Sequence, residues 1–255
     1  MKLYITEFGD RKKALAFTKE KKLGYEIQRF CLPHRLDSLE GEIDILKKDI
    51  IDIQDRSMHG PFRELVPAST DPRIADVVKL RFEQAYKLSK QFNISHLILH
   101  SGFIPKTHSP EDWLKRTVNF WQEFMSNKND EIQIHIENIY ENDFNFLSQL
   151  IRELNHPAFS VCLDIGHANA NSDLQVSDWI RGLGNIIGYV HLHNNNGQFD
   201  DHFGLHRGTI NIKSVLNLLK ENSSNAICSL ETNDLEESLI WLEQNQLLHL
   251  FDNIR

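Results

Sequence analysis

The chain has 255 residues, of which 40% are hydrophobic and 25% are charged, and this composition excludes the disordered, collagen-like and membrane-embedded classes. Its 28 Lys and Arg against 36 Asp and Glu give a net charge of −8 at pH 7, so a nucleic-acid partner would need a local basic patch. No run reaches the ~18 apolar residues of a spanning helix, and residues 1–10 lack the apolar stretch of a secretory signal. We therefore expect a cytoplasmic protein without a membrane partner.

Short apolar runs rich in β-formers alternate along the chain with longer stretches of helical periodicity, which is typical of parallel strands joined by helices. The predicted strands are Lys2–Thr6, Tyr25–Phe30, Asp55–His59, His96–His100, Gln133–Glu137, Ser160–Asp164, Ile187–His191 and Ile227–Glu231. The predicted helices lie near 10–21, 38–50, 72–92, 110–127, 143–154, 175–182, 211–221 and 234–248.

Strand starts are spaced by about 32 residues, close to the ~30 residues of a βα unit, and ~250 residues is typical of an eightfold barrel. No linker divides the chain, so we predict a single α/β domain, a (β/α)8 TIM barrel, over residues 1–255. A doubly wound open sheet is the alternative. Cap residues before proline, Ser109-Pro110 and Asp71-Pro72, predict two helix starts. The three cysteines are too scattered for a disulfide framework and are expected to be reduced.

Histidines and carboxylates close six predicted strands: His59, His100, Glu137, Asp164, His191 and Glu231. His167 follows the sixth strand, and the loop after the seventh contains His193, Asp200, Asp201 and His202. Because the carboxyl ends of barrel strands open on one face, these residues are expected to share one pocket.

Each of these residues alone could be structural: a hydrogen-bonded histidine, a solvated strand end or a turn-former. Together they would crowd one mouth with unpaired charge, and buried charge requires a partner or a metal ion. The sequence therefore predicts a divalent-metal site, with Zn²⁺ as first choice and Mn²⁺ or another divalent ion as alternatives.

The remaining histidines are interpreted differently. Six are expected to be structural or solvated: His34, His96, His108, His135, His156 and His249. His193 is a candidate to support a ligand or contact substrate, and His206 with Arg207 is a candidate to hold an anionic group, although a solvated loop arginine is the equal alternative.

Several segments resemble the AP endonuclease family 2 and xylose isomerase-like barrels. They are Met58-His-Gly-Pro-Phe62, Leu97-Ile-Leu-His-Ser-Gly102, His135-Ile-Glu-Asn138, Leu163-Asp-Ile-Gly-His-Ala168, Val190-His-Leu-His-Asn194 with Asp200-x-His202, and Leu230-Glu231. The resemblance spans the chain. It implies a xylose isomerase-like barrel in one of two branches: sugar isomerases and epimerases with one divalent ion, or endonuclease IV with three zinc ions.

The resemblance also implies ligands. The single-ion quartet corresponds to Glu137, Asp164, His191 and Glu231. The further ligands of endonuclease IV correspond to His59 and His100, which with Glu137 would hold a second ion, and to His167, Asp200 and His202, which would hold a third. Asp201 is an alternative to Asp200.

The sequence also departs from the family pattern. The DNA-entering loop of endonuclease IV, rich in Lys, Asn, Gln and Arg, corresponds to residues 28–34 here, which lack that composition, so DNA is disfavoured as a partner. Phe62 corresponds to an aromatic wedge of that family or to a pocket wall. The first glycine of a family Gly-x-Gly is replaced in His206-Arg207-Gly208.

From the nine ligands we predict hydrolysis of a small phosphoester by up to three divalent ions, with Glu137 and Glu231 as catalytic residues. The alternative is isomerisation or epimerisation of a sugar or sugar phosphate, with one ion and the same two glutamates as acid and base. A binding module without activity is the third reading, which the retained ligands disfavour.

Overall fold

The computed structural model describes residues 1–107, 109–129 and 131–254, and within them eight parallel strands close into a barrel. The strands are β1 (Lys2–Thr6), β2 (Gly24–Ile27), β3 (Arg56–His59), β4 (His96–His100), β5 (Gln133–Glu137), β6 (Phe159–Asp164), β7 (Ile187–Leu192) and β8 (Ile227–Leu230). Each strand pairs with its sequence neighbours, and β1 pairs with β8. The predicted (β/α)8 barrel is confirmed.

Helices connect the strands. They are α1 (Arg11–Lys21), α2 (Glu42–Ile50), α3 (Pro72–Gln91), α4 (Pro110–Met125), α5 (Asn145–Leu154), α6 (Ile165–Asn171), α7 (Val176–Leu183), α8 (Ile212–Asn222) and α9 (Leu235–Gln244). Short 3₁₀ turns cover Pro33–Asp37, Gly184–Ile186 and Leu248–Leu250. No helix in the described ranges is both long and apolar enough to cross a bilayer.

Three differences from the predicted elements bear on the site. Strand β2 ends at Ile27 rather than Phe30, because the backbone N–H groups of Gln28 and Arg29 donate to the Glu7 carboxylate instead of a neighbouring strand. Glu231 follows β8 instead of ending it, although its N–H still donates to Leu192. Helix α6 was missed, since its seven residues are too few to show helical periodicity.

The two predicted caps are present. The Asp71 carboxylate accepts the Arg73 N–H, and the Ser109 hydroxyl accepts the Asp112 N–H. Each cap precedes a proline at the first helical position, where the missing N–H costs no hydrogen bond.

The main core lies between the strands and the helices, while a smaller cluster fills the barrel interior. That interior cluster consists of Tyr4, Ile98, Cys162, Tyr189 and Ile227. The filled interior leaves the carboxyl end of the barrel as the place for a site.

The strand register aligns the ends that carry the predicted ligands. His100 pairs with Glu137 across β4 and β5, and Asp164 pairs with His191 across β6 and β7. Residues that are distant in sequence therefore reach the same level of the barrel.

Candidate metal centre

The mouth of the barrel holds a cavity of about 670 Å³ at the carboxyl ends of the strands. Seven of the nine predicted ligands line it: His59, His100, Glu137, His167, Asp200, His202 and Glu231. Asp164 and His191 are completely buried. The structure thus brings all nine residues to one end of the barrel, as close groups of possible ligands.

Three carboxylates of the predicted quartet meet the ring of His191. Its Nδ1 atom lies 3.2 Å from Glu137 Oε1, 3.3 Å from Glu231 Oε2 and 3.6 Å from Asp164 Oδ2. Three buried negative charges around one imidazole require positive charge between them. A divalent cation with nitrogen and oxygen ligands meets that requirement.

A second group forms on the other oxygen of Glu137. His59 Nε2 lies 3.2 Å and His100 Nε2 lies 3.5 Å from Glu137 Oε2. Glu137 therefore belongs to both groups, as a carboxylate that bridges two ions would.

A third group surrounds Asp200. Its Oδ2 atom lies 2.9 Å from His202 Nε2 and 3.3 Å from His167 Nε2. Asp201, the alternative to Asp200, does not line the cavity, and its carboxylate lies 3.4 Å from the Asn196 N–H. The geometry thus favours Asp200.

Ring orientation tests whether these groups suit a metal. The Nδ1 atoms of three histidines face backbone carbonyl oxygens: His59 with Gly60 at 2.9 Å, His167 with Asn138 at 2.8 Å and His202 with Glu231 at 3.0 Å. A carbonyl only accepts, so each Nδ1 carries a proton, and in the neutral form of each ring the Nε2 lone pair would point at a carboxylate. Two acceptors then face each other unless a second proton or a cation lies between them. Metal-bound histidines typically donate the other ring N–H to a carbonyl or carboxylate oxygen, as these three rings do. The residues therefore fit a divalent ion.

The pKa values of the metal-free site are set by burial and by these contacts between histidines and carboxylates. Burial opposes charge on Glu137, but the contacts with His191 and His59 outweigh it and hold the pKa of Glu137 well below its usual value. Burial likewise opposes protonation of His202, but Asp200 raises its pKa to about 9. At His100 burial prevails and lowers the pKa to about 3, so this ring is neutral. An ion would replace the protons of the other rings.

Hydrogen bonds hold Asp164 in place at the end of β6. The Asp164 carboxylate caps α6 by accepting the His167 N–H at 2.7 Å. The Asn138 side chain accepts the Asp164 N–H and donates to its carbonyl, both at 2.9 Å. The Asp-x-x-His spacing thereby orients Asp164 and His167 together.

Comparisons with known proteins identify the family of the chain. The family model of xylose isomerase-like TIM barrels matches residues 17–247. The chain belongs to this family. An uncharacterised protein of Methanocaldococcus jannaschii, MJ1311, is 26% identical over 215 residues, which cover 75% of this chain and 71% of that protein.

Solved structures in this fold extend the comparison. A D-tagatose 3-epimerase-like protein superposes with a TM-score of 0.80 at 23% identity, covering 98% of each chain. IolI, solved with a zinc atom, superposes with a TM-score of 0.76 at 15% identity, covering 100% of this chain and 99% of its own. At such identities the likeness establishes the shared barrel.

His193 lies behind the ligands rather than in the cavity. Its ring is fully buried, and Nε2 is 3.1 Å from Asp164 Oδ1. Gly166 makes room for it, because a Cβ atom there would lie 1.9 Å from His193 Cε1. This placement suits a residue that orients Asp164.

The predicted substrate contacts divide into two groups. Phe62 lines the cavity and stacks on His100 with ring centroids 4.3 Å apart, as a pocket wall would. His206 and Arg207 are not in the lining; the Arg207 guanidinium covers the Phe203 ring and lies 3.7 Å from Asp234. Arg63, which the sequence did not indicate, does line the cavity.

Of the six histidines interpreted as structural, the five that the structure describes lie away from the mouth. His96 and His135 contact each other inside the barrel at 3.0 Å, and His135 also contacts Ser160. His34 and His249 are exposed, His156 is half-buried in a loop, and His108 lies outside the described residues.

Strand β2 and the loop after it contain residues that the sequence analysis did not recognise. Arg29 donates to Glu7 and Asp49, so its charge is neutralised within the fold. Gln28 donates to Glu231 at 2.5 Å, and Glu26 lies 3.2 Å from His191 Nε2. A carboxylate on the otherwise apolar strand β2 was the available signal for Glu26.

Proposed function

We propose that the chain is a divalent-metal-dependent enzyme that isomerises or epimerises a small sugar or sugar phosphate, with Glu137 and Glu231 as acid and base. One observation carries this proposal. Oxygens of both glutamates lie within 3.3 Å of the same atom, His191 Nδ1, and both side chains line the cavity. A substrate carbonyl bound at the quartet would therefore lie close to both carboxylates.

The ion would be held by Glu137, Asp164, His191 and Glu231. When bound, it supplies a Lewis acid that polarises a carbonyl or hydroxyl oxygen of the substrate. Zn²⁺ is the first choice because the ligands are imidazole and carboxylate, and Mn²⁺ is an alternative. Cys162 lies near the quartet, and burial raises the pKa of its thiol in the metal-free protein.

The two glutamates divide the proton transfer. One carboxylate removes the proton from the carbon beside the carbonyl, and the other carboxyl group delivers a proton to the opposite face in an epimerisation. In an isomerisation the proton returns instead to the former carbonyl carbon, and a proton passes from the hydroxyl oxygen of the first carbon to the former carbonyl oxygen, so that the carbonyl and the hydroxyl exchange places. Gln28 holds Glu231 in place through its amide, 2.5 Å from Oε1.

The cavity suits a small substrate. Its volume of about 670 Å³ lies within the ~300–1,000 Å³ of small-molecule sites. Phe8, Phe62, Phe103 and Tyr140 form an aromatic wall that can pack on the apolar face of a sugar ring. The fold shared with a D-tagatose 3-epimerase-like protein also supports a sugar, by analogy of fold. A duplex is disfavoured because Arg29 is engaged by Glu7 and Asp49.

A second candidate is hydrolysis of a small phosphoester by up to three ions. It is supported by the ring orientation of His59, His167 and His202: the Nε2 atom of His59 faces Glu137 Oε2, and the Nε2 atoms of the other two face Asp200 Oδ2, outside the quartet. A single-ion isomerase does not need ligands at these positions. In this candidate Glu137 would hold two ions on its two oxygens.

One set of assays separates the candidates. Metal-loaded protein is incubated with ketoses and their phosphates in D₂O, with phosphate mono- and diesters, and with a duplex that carries an abasic site. Deuterium at the carbon beside the carbonyl, together with an isomeric product, supports the isomerase. Release of phosphate or alcohol without deuterium incorporation overturns it in favour of hydrolysis, and incision of the duplex contradicts the preference for small substrates.

A further inference from the structure

A further carboxylate, outside the quartet, lies beneath it in the barrel. Glu26, on β2, points into the barrel and is completely buried. It belongs to none of the close ligand groups described above, and it does not line the cavity. A buried carboxylate is costly unless hydrogen bonds satisfy it, so its partners indicate its purpose.

The first partner is His191. Its Nε2 atom lies 3.2 Å from Glu26 Oε1, and both side chains are fully buried. Because Glu26 accepts the Nε2 proton, the Nδ1 atom is the nitrogen left to face Glu137, Asp164 and Glu231. Glu26 therefore selects the tautomer and the ring orientation that a ligand at this position needs.

The second partner is Gln28, which links Glu26 to the opposite side of the site. Its Nε2 group donates to Glu26 Oε1 at 3.2 Å and to Glu231 Oε1 at 2.5 Å. The Gln28 backbone is fixed in turn by its N–H bond to Glu7. Glu26 thus contacts one member of the quartet directly and a second through one amide.

The other oxygen of Glu26 anchors it to the barrel. Tyr189 donates its hydroxyl to Glu26 Oε2 at 2.8 Å, so the Tyr189 oxygen is left to accept from Ser57 at 2.7 Å. The chain Ser57, Tyr189, Glu26 runs across the interior from β3 to β7 and β2. Its hydrogen bonds fix the direction in which Glu26 faces His191.

We propose that Glu26 is the positioning carboxylate of the metal centre, which holds His191 directly and Glu231 through Gln28 in the geometry that binds the ion. This inference rests on the metal quartet of the proposed function. Supporting partners of this kind commonly contribute 10–100-fold to metal affinity.

The test is the Glu26→Gln variant. An amide has nearly the same shape, but it cannot accept from both His191 and Tyr189 with its two ends. We expect the Kd for Co²⁺ and Zn²⁺, measured by competition with a chelator, to rise about 10–100-fold and the visible spectrum of bound Co²⁺ to change. His96→Gln is the control, since His96 also lies on a barrel strand but contacts His135 rather than Glu26, Tyr189 or a quartet member.

The outcomes distinguish the two levels of the proposal. Failure of the wild-type protein to bind either ion would contradict the proposed function itself. Equal affinity and equal spectra in wild type and Glu26→Gln would overturn the positioning role while leaving the proposed function intact. If Glu26→Gln does not fold, Tyr189→Phe decides: it removes one donor to Glu26, and we expect a several-fold rise in Kd, whereas an unchanged Kd and spectrum would overturn the inference.

Discussion

His202 and Asp200 face each other at the mouth of the barrel, with Nε2 2.9 Å from Oδ2. The opposite nitrogen of His202 donates to the Glu231 carbonyl, so the site loop and the end of β8 are joined through one ring. The same ring stacks on Phe8, 4.3 Å away. His202 is therefore held in place before any ion binds, and the predictions below begin with it.

The first prediction concerns metal content. Because His59, His202 and His191 belong to different ligand groups, we expect more than one divalent ion per chain after full loading at neutral pH, of which the proposed isomerisation or epimerisation uses only the quartet ion. His202→Ala and His59→Ala should each lose one ion and keep the quartet ion. Elemental analysis of dialysed protein measures this. One ion per chain in the wild type, unchanged in both variants, would restrict the site to the quartet.

The second prediction concerns pH. The pKa of His202 is raised to about 9, so the unliganded ring is protonated at pH 7 and must lose that proton to bind metal. We expect affinity at this group to rise from pH 7 to pH 9, with proton release visible by calorimetry in buffers of different ionisation enthalpy. His202→Ala should reduce the proton release, and a pH-independent affinity would contradict the assignment.

The same shift predicts the stability of the metal-free protein. A histidine whose folded pKa is raised stabilises the fold fully below its unfolded pKa of ~6.5, and this contribution is lost as the pH rises through about 9. The midpoint of urea unfolding of the chelator-treated protein should therefore fall between pH 6.5 and 9 more in wild type than in His202→Ala. Parallel profiles for the two proteins would argue against the His202–Asp200 pair.

The third prediction concerns Glu231. Its carboxylate belongs to both candidate reactions, so Glu231→Gln should lower kcat/KM by about 10²–10⁴ while the melting temperature of the metal-free protein changes little. His249→Gln is the control, because His249 is exposed in the C-terminal segment and remote from the cavity. Equal losses in both variants would show that stability, rather than chemistry, had been measured.

The fourth prediction concerns the two arginines near the site. Arg63 is the one Lys or Arg side chain in the cavity lining, and across residues 1–107, 109–129 and 131–254 no carboxylate lies within ion-pair distance of it. It lies on a turn closed by the bond from the Leu65 N–H to the Phe62 carbonyl. Arg207, by contrast, faces Asp234 outside the lining.

We therefore expect Arg63→Ala to raise KM for a phosphorylated substrate about 10-fold or more and to spare the free sugar, because hydrogen bonds to charged groups contribute ~1.5–3 kcal/mol. Arg207→Ala, measured beside it, should have the smaller effect. The reverse ranking would restore Arg207 as the residue that holds an anionic group.

The fifth prediction concerns Gly166. A Cβ atom at this position would overlap the His193 ring, which cannot move away because it is fully buried against Asp164. Gly166→Ala should lower the free energy of unfolding by about 1–3 kcal/mol, as overpacking does, and weaken metal binding through Asp164. Urea unfolding and chelator competition measure the two effects. A variant that binds metal normally would show that Asp164 is held without His193.

The order of strands and helices could be predicted from the sequence, because hydrophobic periodicity differs between a buried strand and an amphipathic helix. The nine candidate ligands were also recognisable, since parallel strands in a barrel all point their carboxyl ends to one face. His59 and Glu231 are far apart in sequence but both end or follow such strands, so topology alone predicts that they approach each other.

Other features depended on the tertiary structure. Glu26 lies within an apolar strand, and only the closed barrel shows that its side chain meets His191 and Gln28 from different strands. Arg63 and Arg207 are both loop arginines in the sequence, and loop conformation alone decides which lines the cavity. Local periodicity determines which segments form strands and helices, whereas the partners of a buried polar side chain are set by the packing of residues distant in the chain.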